Sequence, residues 1–498
     1  MSFRYALAAL LLAVIAPVSR GELVVEEEAG GQQGLTVFKM TVTPAGESEP
    51  ALKHRLVPGP LDLRPGNAAL FYCRSFAEGS LSSAWKAVEK EFTYDEIHGS
   101  DQVDGWYDVS RPLDSIPLDK LREASARFDT IMKQFVERGA ERAECNWGHY
   151  IQEVRGTDII ATLLPEIQEC RSLGRAVGLR TRLAIAERDF PRAIEHLRIN
   201  YRLGKHVSEA PFLVSGLVAI AIANTANAGV VELIATEGSP NLYWALAEMP
   251  RPYIDLQPSV RFEMSLGPRM FPFMMEPEKK RYSTEEWARV LSESLQETSK
   301  VASGTPHWNE LGAQLAATGL ALLTYPAAKE RLVEDGMDRD AVEAMPVGQV
   351  IAIDAARGYQ QLADEFEKWW YTPFPVALEG SKLADLKLSR INKFEGGLGE
   401  ILASMLLPAL NAARNAQVRL DWQLNALQTL EAIRMHAAET GKLPASLDEI
   451  DVVPVPTSPL TGKPYDYRLE GDTAVLELPK NDLIRDFAWR FEIKLAKE

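Results

Sequence analysis

Seven histidines, three cysteines, a few carboxylate clusters and one run of aromatic residues carry whatever chemistry this sequence could perform. The histidines (His54, His98, His149, His196, His206, His307 and His436) are scattered, and none sits in an HExxH pair that could hold zinc. His196 and His206 stand ten residues apart, which at ~100° per residue does not place them on one helical face. No GxSxG, GxxxxGK[ST] or strand–GxGxxG–helix pattern occurs, so neither a nucleophile elbow nor a phosphate loop is expected. Glu89, Glu91, Asp95 and Glu96 form a carboxylate cluster of the kind that makes a solvated helix face. Cys73, Cys145 and Cys170 are odd in number, so an exported chain can form at most one internal bridge and must leave one thiol over. Cys145 and Cys170 lie in helical stretches and could be neighbours, while buried thiols acting as small hydrophobes are the simpler reading. No catalytic residue, cofactor-binding residue or metal ligand is therefore assigned, and no cofactor is expected. The candidate partner surface is Trp369, Trp370, Tyr371 and Phe374, beside Pro373 and Pro375. Four aromatics so close together can form a platform for a peptide or sugar, or close the end of a helical core.

Those residues belong to an acidic chain of 498 residues, with 54 Lys and Arg against 70 Asp and Glu. A formal charge of −16 without a basic block repels phosphate backbones, so nucleic acid is not an expected partner. At 46% hydrophobic and 25% charged residues the composition is globular, and the length allows two or three domains of about 150 residues. Residues 1–5 include Arg4, residues 6–18 are apolar, and Ser19 and Gly21 provide the small −3 and −1 positions that signal peptidase requires. Residues 1–21 therefore read as a cleaved secretory signal, which predicts a periplasmic or extracellular protein. At ~1.5 Å per residue the apolar run falls short of a ~30 Å hydrocarbon core, so no stable transmembrane anchor is expected after cleavage.

The elements that must position these residues divide the mature chain into three parts. Residues 22–80 form an acidic leader and an extended or β region, in which 35–43 (LTVFKMTVT) is a strand by its β-branched and aromatic content. Residues 81–407 form an α-helical domain, with apolar positions such as Leu121, Phe128, Ile131, Met132 and Phe135 recurring at three and four. Residues 210–231 contain no charge but include Asn224 and Asn227, which are costly in hydrocarbon, so a buried central helix is expected. The same expectation applies to residues 311–325. Residues 250–277 hold six prolines among methionines and phenylalanines and read as a loop, either a buried strap or a recognition surface.

Residues 183–194 (LAIAERDFPRAI) resemble one tetratricopeptide-type helical hairpin, with small alanines on the first helix, a turn at Asp189 and Phe190 plugging the junction. No second copy follows at that period, so a regular superhelix is not expected. Residues 408–498 show the clearest local pattern. Leu420, Leu424, Leu427, Leu430, Ile433 and Ala437 form a stripe that stops at Gly441, and Ser446 and Glu449 have capping-box spacing. Tyr465, Tyr467 and Leu469 alternate, Gly471 and Asp472 turn, and Ala474, Leu476 and Leu478 alternate back as a hairpin. This order, with Gly441, Pro444, Leu447, Pro459, Gly462, Pro464, Tyr465 and Tyr467, resembles the head of type II secretion pseudopilins. The family often has an aspartate where Ser458 stands, so a calcium site is not implied. Residues 58–72 (PGPLDLRPGNAALFY) and 345–350 (MPVGQV) are similar to long exported bacterial proteins of unknown function that carry such a tail.

The expected fold is thus mainly α: a helical-hairpin body, a short extended N-terminal region and a small, separable C-terminal α+β module. The expected function is that of an exported protein that binds or scaffolds a protein or peptide of the cell envelope without catalysis. An envelope or extracellular hydrolase is the alternative.

Overall fold

A computed structural model of the chain describes residues 23–27, 35–77, 80–99, 105–149, 165–301, 308–378, 380, 383, 398–399, 408–478 and 488–496. The expected signal, residues 1–21, lies outside them. Among the described residues the protein is mainly α, with 62% helix and 9% strand.

Helices α1 (Ala69–Phe76) and α2 (Ser80–Glu91) open the body, and α3 (Leu118–Ala126) follows a loop at 105–117. Helices α4 (Pro165–Ala186), α5 (Phe190–Val207) and α6 (Leu213–Ala235) pack against one another in all three pairings and form the centre. The α4–α5 hairpin closes as its residues dictate. Arg188 takes φ 58°, the Asp189 carboxylate accepts from the Arg192 N–H at 3.2 Å, and Pro191 occupies the first turn, where its missing N–H costs nothing.

Helix α6 is long and apolar enough to cross a membrane, yet 72% of its most apolar window is buried inside the protein. Its Asn227 is satisfied by protein: the Tyr201 hydroxyl donates to its Oδ1 at 2.7 Å, and its Nδ2 donates to Gln423 at 2.9 Å. A buried amide so bonded loses little on leaving water.

Two stretches differ from expectation. The proline-rich segment is not a loop: α7 (Gln257–Met270) carries Pro258 in its first turn and Pro268 inside, and Phe271, Phe273 and Met274 are buried just beyond it. Helices α8 (Thr284–Val301), α9 (Glu310–Glu334) and α10 (Val347–Glu367) form a second packed group. Within it α9 is not a buried central helix. It runs through Pro326, buries the small Ala313, Ala317 and Ala328, and exposes Leu311, Leu315, Leu322 and Leu323.

Helix α11 (Pro408–Thr440) packs against α6 on one side. The strands are β1 (Leu23–Glu27), β2 (Leu35–Val42), β3 (Arg64–Asn67), β4 (Arg142–Glu144), β5 (Asp466–Glu470), β6 (Thr473–Leu478) and β7 (Ala488–Leu495). The hairpin β5–β6 forms as its alternation predicts, with Gly471 at φ 65° in the turn.

The tail is nevertheless not a separable module. The main sheet has the order β1-β2-β7-β6-β5, and β2 runs parallel to β7 from the Leu35–Ala488 pair to the Val42–Leu495 pair. The physical reason lies in the strands themselves. β2 is buried at Leu35, Val37, Phe38, Met40 and Val42, so it needs cover on both faces and a partner on each edge, and β7 provides the second edge. Phe38 stacks on Phe491 with ring centroids 5.0 Å apart. One apolar core consequently includes Phe38, Leu213, Leu427 and Phe491.

Candidate functional site

The aromatic quartet is not brought onto one exposed face. Lys368–Tyr371 continues α10 as a tight turn, and Trp370 and Phe374 lie against the Arg414 guanidinium of α11, at 5.4 and 5.5 Å. Arg414 donates to the carbonyls of Trp369 at 2.5 Å and Thr372 at 2.7 Å, and burial lowers its pKa to about 10, so it stays charged at neutral pH. Tyr371 is exposed, donates to the Glu367 carboxylate and accepts from Arg261 at 3.0 and 3.1 Å. Trp369, Trp370 and Phe374 are half-buried. The quartet joins α10 to α11 through Arg414.

Cys145 and Cys170 are buried, Cys73 is exposed, and none of the three is bridged. Burial, with Glu209 nearby, pushes the Cys145 thiol up, the wrong direction for a nucleophile. Its backbone N–H donates to Glu209 at 3.0 Å. Among the described residues no group of three or more His, Cys, Asp or Glu side chains is placed to hold a metal ion.

The site with room for a ligand lies elsewhere, in a cleft of about 940 Å³, within the range of small-molecule and peptide pockets. Leu23 and Val24 of β1 form one wall, Val109, Leu113 and Ile116 another, and Ile185 of α4 with Ala235 of α6 the floor. Two ion pairs position those walls. Arg182 on α4 and Glu232 on α6 are both buried and meet at 2.8 Å. The same guanidinium donates to the carbonyls of Trp106 and Asp108 at 2.7 Å each and of Arg111 at 2.5 Å, which pins the 105–117 loop. At the rim Arg188 pairs with Glu237 at 2.6 Å. Both carboxylates are thus held by arginines. Among the described residues β1 pairs only with β2, so its outer edge carries backbone groups without a strand partner.

No family model, no curated protein and no solved structure matches the chain. The cleft offers apolar walls, a charged rim, structural ion pairs and a β1 edge that carries no second strand among the described residues.

This cleft was missed in the sequence, although one signal for it was present. Arg182 interrupts the apolar face of a helix, and Glu232 is the charge that ends the uncharged run 210–231. Opposite charges on the buried faces of two helices must find each other or be left unpaired.

Proposed function

We propose that this is an exported, non-catalytic protein that binds an extended, apolar peptide segment of a cell-envelope partner in the cleft beside β1. The observation that carries the reading is the conjunction of a 940 Å³ cleft, with Leu23, Val24, Val109, Leu113 and Ile116 in its walls, and a β1 edge that no described strand pairs beyond β2. An extended segment laid there can add backbone hydrogen bonds to the edge while its alternate side chains enter the trough. The partner class we favour is a component of secretion or pilus-like machinery. The tail motif from Gly441 to Tyr467 supports it by its resemblance to pseudopilin heads, and the signal-like residues 1–21 support the compartment.

The test is selection of immobilised random heptapeptides on the full mature chain. Enrichment of alternating apolar sequences is expected, with loss of capture in Leu113→Arg and Ala235→Trp, which charge and fill the trough. Equal capture by both variants, or enrichment of none, overturns the reading.

A further inference from the structure

A second cavity, of about 290 Å³, opens on the other side of the α4 C-terminus. Three helical faces converge on it. Arg122, Ser125, Asp129 and Lys133 recur at three and four along α3 and its continuation; Arg180, Ala184 and Glu187 do so on α4; Arg192 and His196 are four apart at the start of α5. Four cations thus face two carboxylates, a local positive excess in a chain of formal charge −16.

Two of the cations are already matched. Arg122 donates to Glu187 at 2.7 and 2.9 Å, and Arg180 pairs with Asp129. Lys133 and Arg192 have no carboxylate partner among the described residues. Two polar atoms on its lining residues are also unmatched. The Arg180 Nε and the Ser125 Oγ are buried without a hydrogen-bond partner. His196, which also lines the cavity, is only 6% exposed. Buried donors left unmade ask for an absent acceptor.

We infer that this cavity binds a small tetrahedral oxyanion, phosphate or a small phosphate monoester. Such an ion offers acceptors to the Arg180 Nε, Arg192, Ser125 and Lys133, and guanidinium forks match its geometry. The volume exceeds that of several waters at ~30 Å³ each, which leaves room for a short ester substituent. Burial first, then Arg180 and Arg192, pushes the His196 pKa down to about 3. This inference is independent of the peptide cleft.

Calorimetric titration of the full mature chain with inorganic phosphate at low ionic strength tests it. One saturable site is expected. The Lys133→Gln/Arg192→Gln double variant should weaken it at least tenfold, while Lys279→Gln, a remote exposed lysine paired to Glu276, should leave it unchanged. Lys133 and Arg192 are both exposed, so the double variant should keep the wild-type circular dichroism and melting temperature. Tighter binding of glycerol 3-phosphate than of phosphate supports the monoester form, and equal binding supports the free ion. Absence of saturable phosphate binding overturns the inference, as does wild-type affinity in the double variant. Binding only to phosphatidylglycerol vesicles, with none to either soluble phosphate, overturns it as well.

Discussion

Arg182 shows what a single buried charge does here, because one guanidinium joins α4, α6 and the 105–117 loop. Removing one member of such a pair strands the other. Arg182→Met should therefore destabilise the protein by about 3–5 kcal/mol in urea titration. A change under about 1 kcal/mol would mean that the loop is not anchored through this residue. The buried histidines make a second prediction. His196 and His206 each have a pKa lowered to about 3, first by burial and then by nearby arginines. His206 sits between the Tyr72 hydroxyl at 2.9 Å and the Arg142 carbonyl at 3.2 Å. A neutral ring can accept from the first and donate to the second. Between about pH 6.5 and 3 the unfolded chain binds protons at these two positions and the folded chain does not, so stability falls as pH drops through that window. Asp421 acts in the opposite sense. Burial raises its pKa to about 6, so its contribution declines as pH rises from about 4 to 6. Glu209, Glu263 and Glu431, raised by burial, act with Asp421, so the histidine part is read as a difference between variants. Between pH 7 and 4.5 the wild type should lose on the order of a few kcal/mol more stability than His196→Gln/His206→Gln in denaturation curves. The separation of these histidines around α5 was legible from their spacing. Their burial was not, since the groups that enclose them come from α1, α3, α4 and the β4 strand.

At the scale of elements, α11 was half legible. The stripe Leu424, Leu427, Leu430 and Ile433 is buried as its spacing predicts. Leu430→Ala should cost about 2–5 kcal/mol by chemical denaturation, and a cost below ~1 kcal/mol would place the stripe outside the core. Its polar residues were misleading, because Gln423, Thr429, Glu431 and Arg434 look solvated but are buried. Arg434 donates to Glu431 at 2.9 Å, to the Thr43 carbonyl at 3.0 Å and to the Ser239 carbonyl at 2.9 Å. Polar side chains can face a partner as readily as water, and a one-dimensional pattern does not distinguish the two. The capping box at Ser446 failed for a related reason: the Glu449 carboxylate accepts from the Ala445 N–H at 2.7 Å, and the Ser446 side chain makes no cap bond. Helix α9 errs in the other direction, with leucines on a face the described residues do not cover and alanines toward its neighbours.

At the scale of the whole molecule, the decisive feature is the parallel pairing of β2 with β7, and composition could not announce it. Each strand was legible as a strand or as part of the tail. Their partnership joins positions more than 400 residues apart, a distance no local pattern spans. Phe491 is fully buried on β7 between Phe38 and Trp489. Phe491→Ala should cost about 3–5 kcal/mol, and hydrogen exchange should speed up in β1 and β2 as well as in β6. Faster exchange confined to residues 466–495 would mean that the two halves of the sheet are energetically separate. The pairing also sets an order in time. During synthesis β2 emerges near the start and β7 near the end, at roughly 5–20 residues per second, so β2 waits for roughly 20–90 s with an apolar strand edge uncovered. Throughout that interval the β2 edge that β7 later covers is open to pairing with a neighbouring chain. The sheet closes only when the last strand arrives.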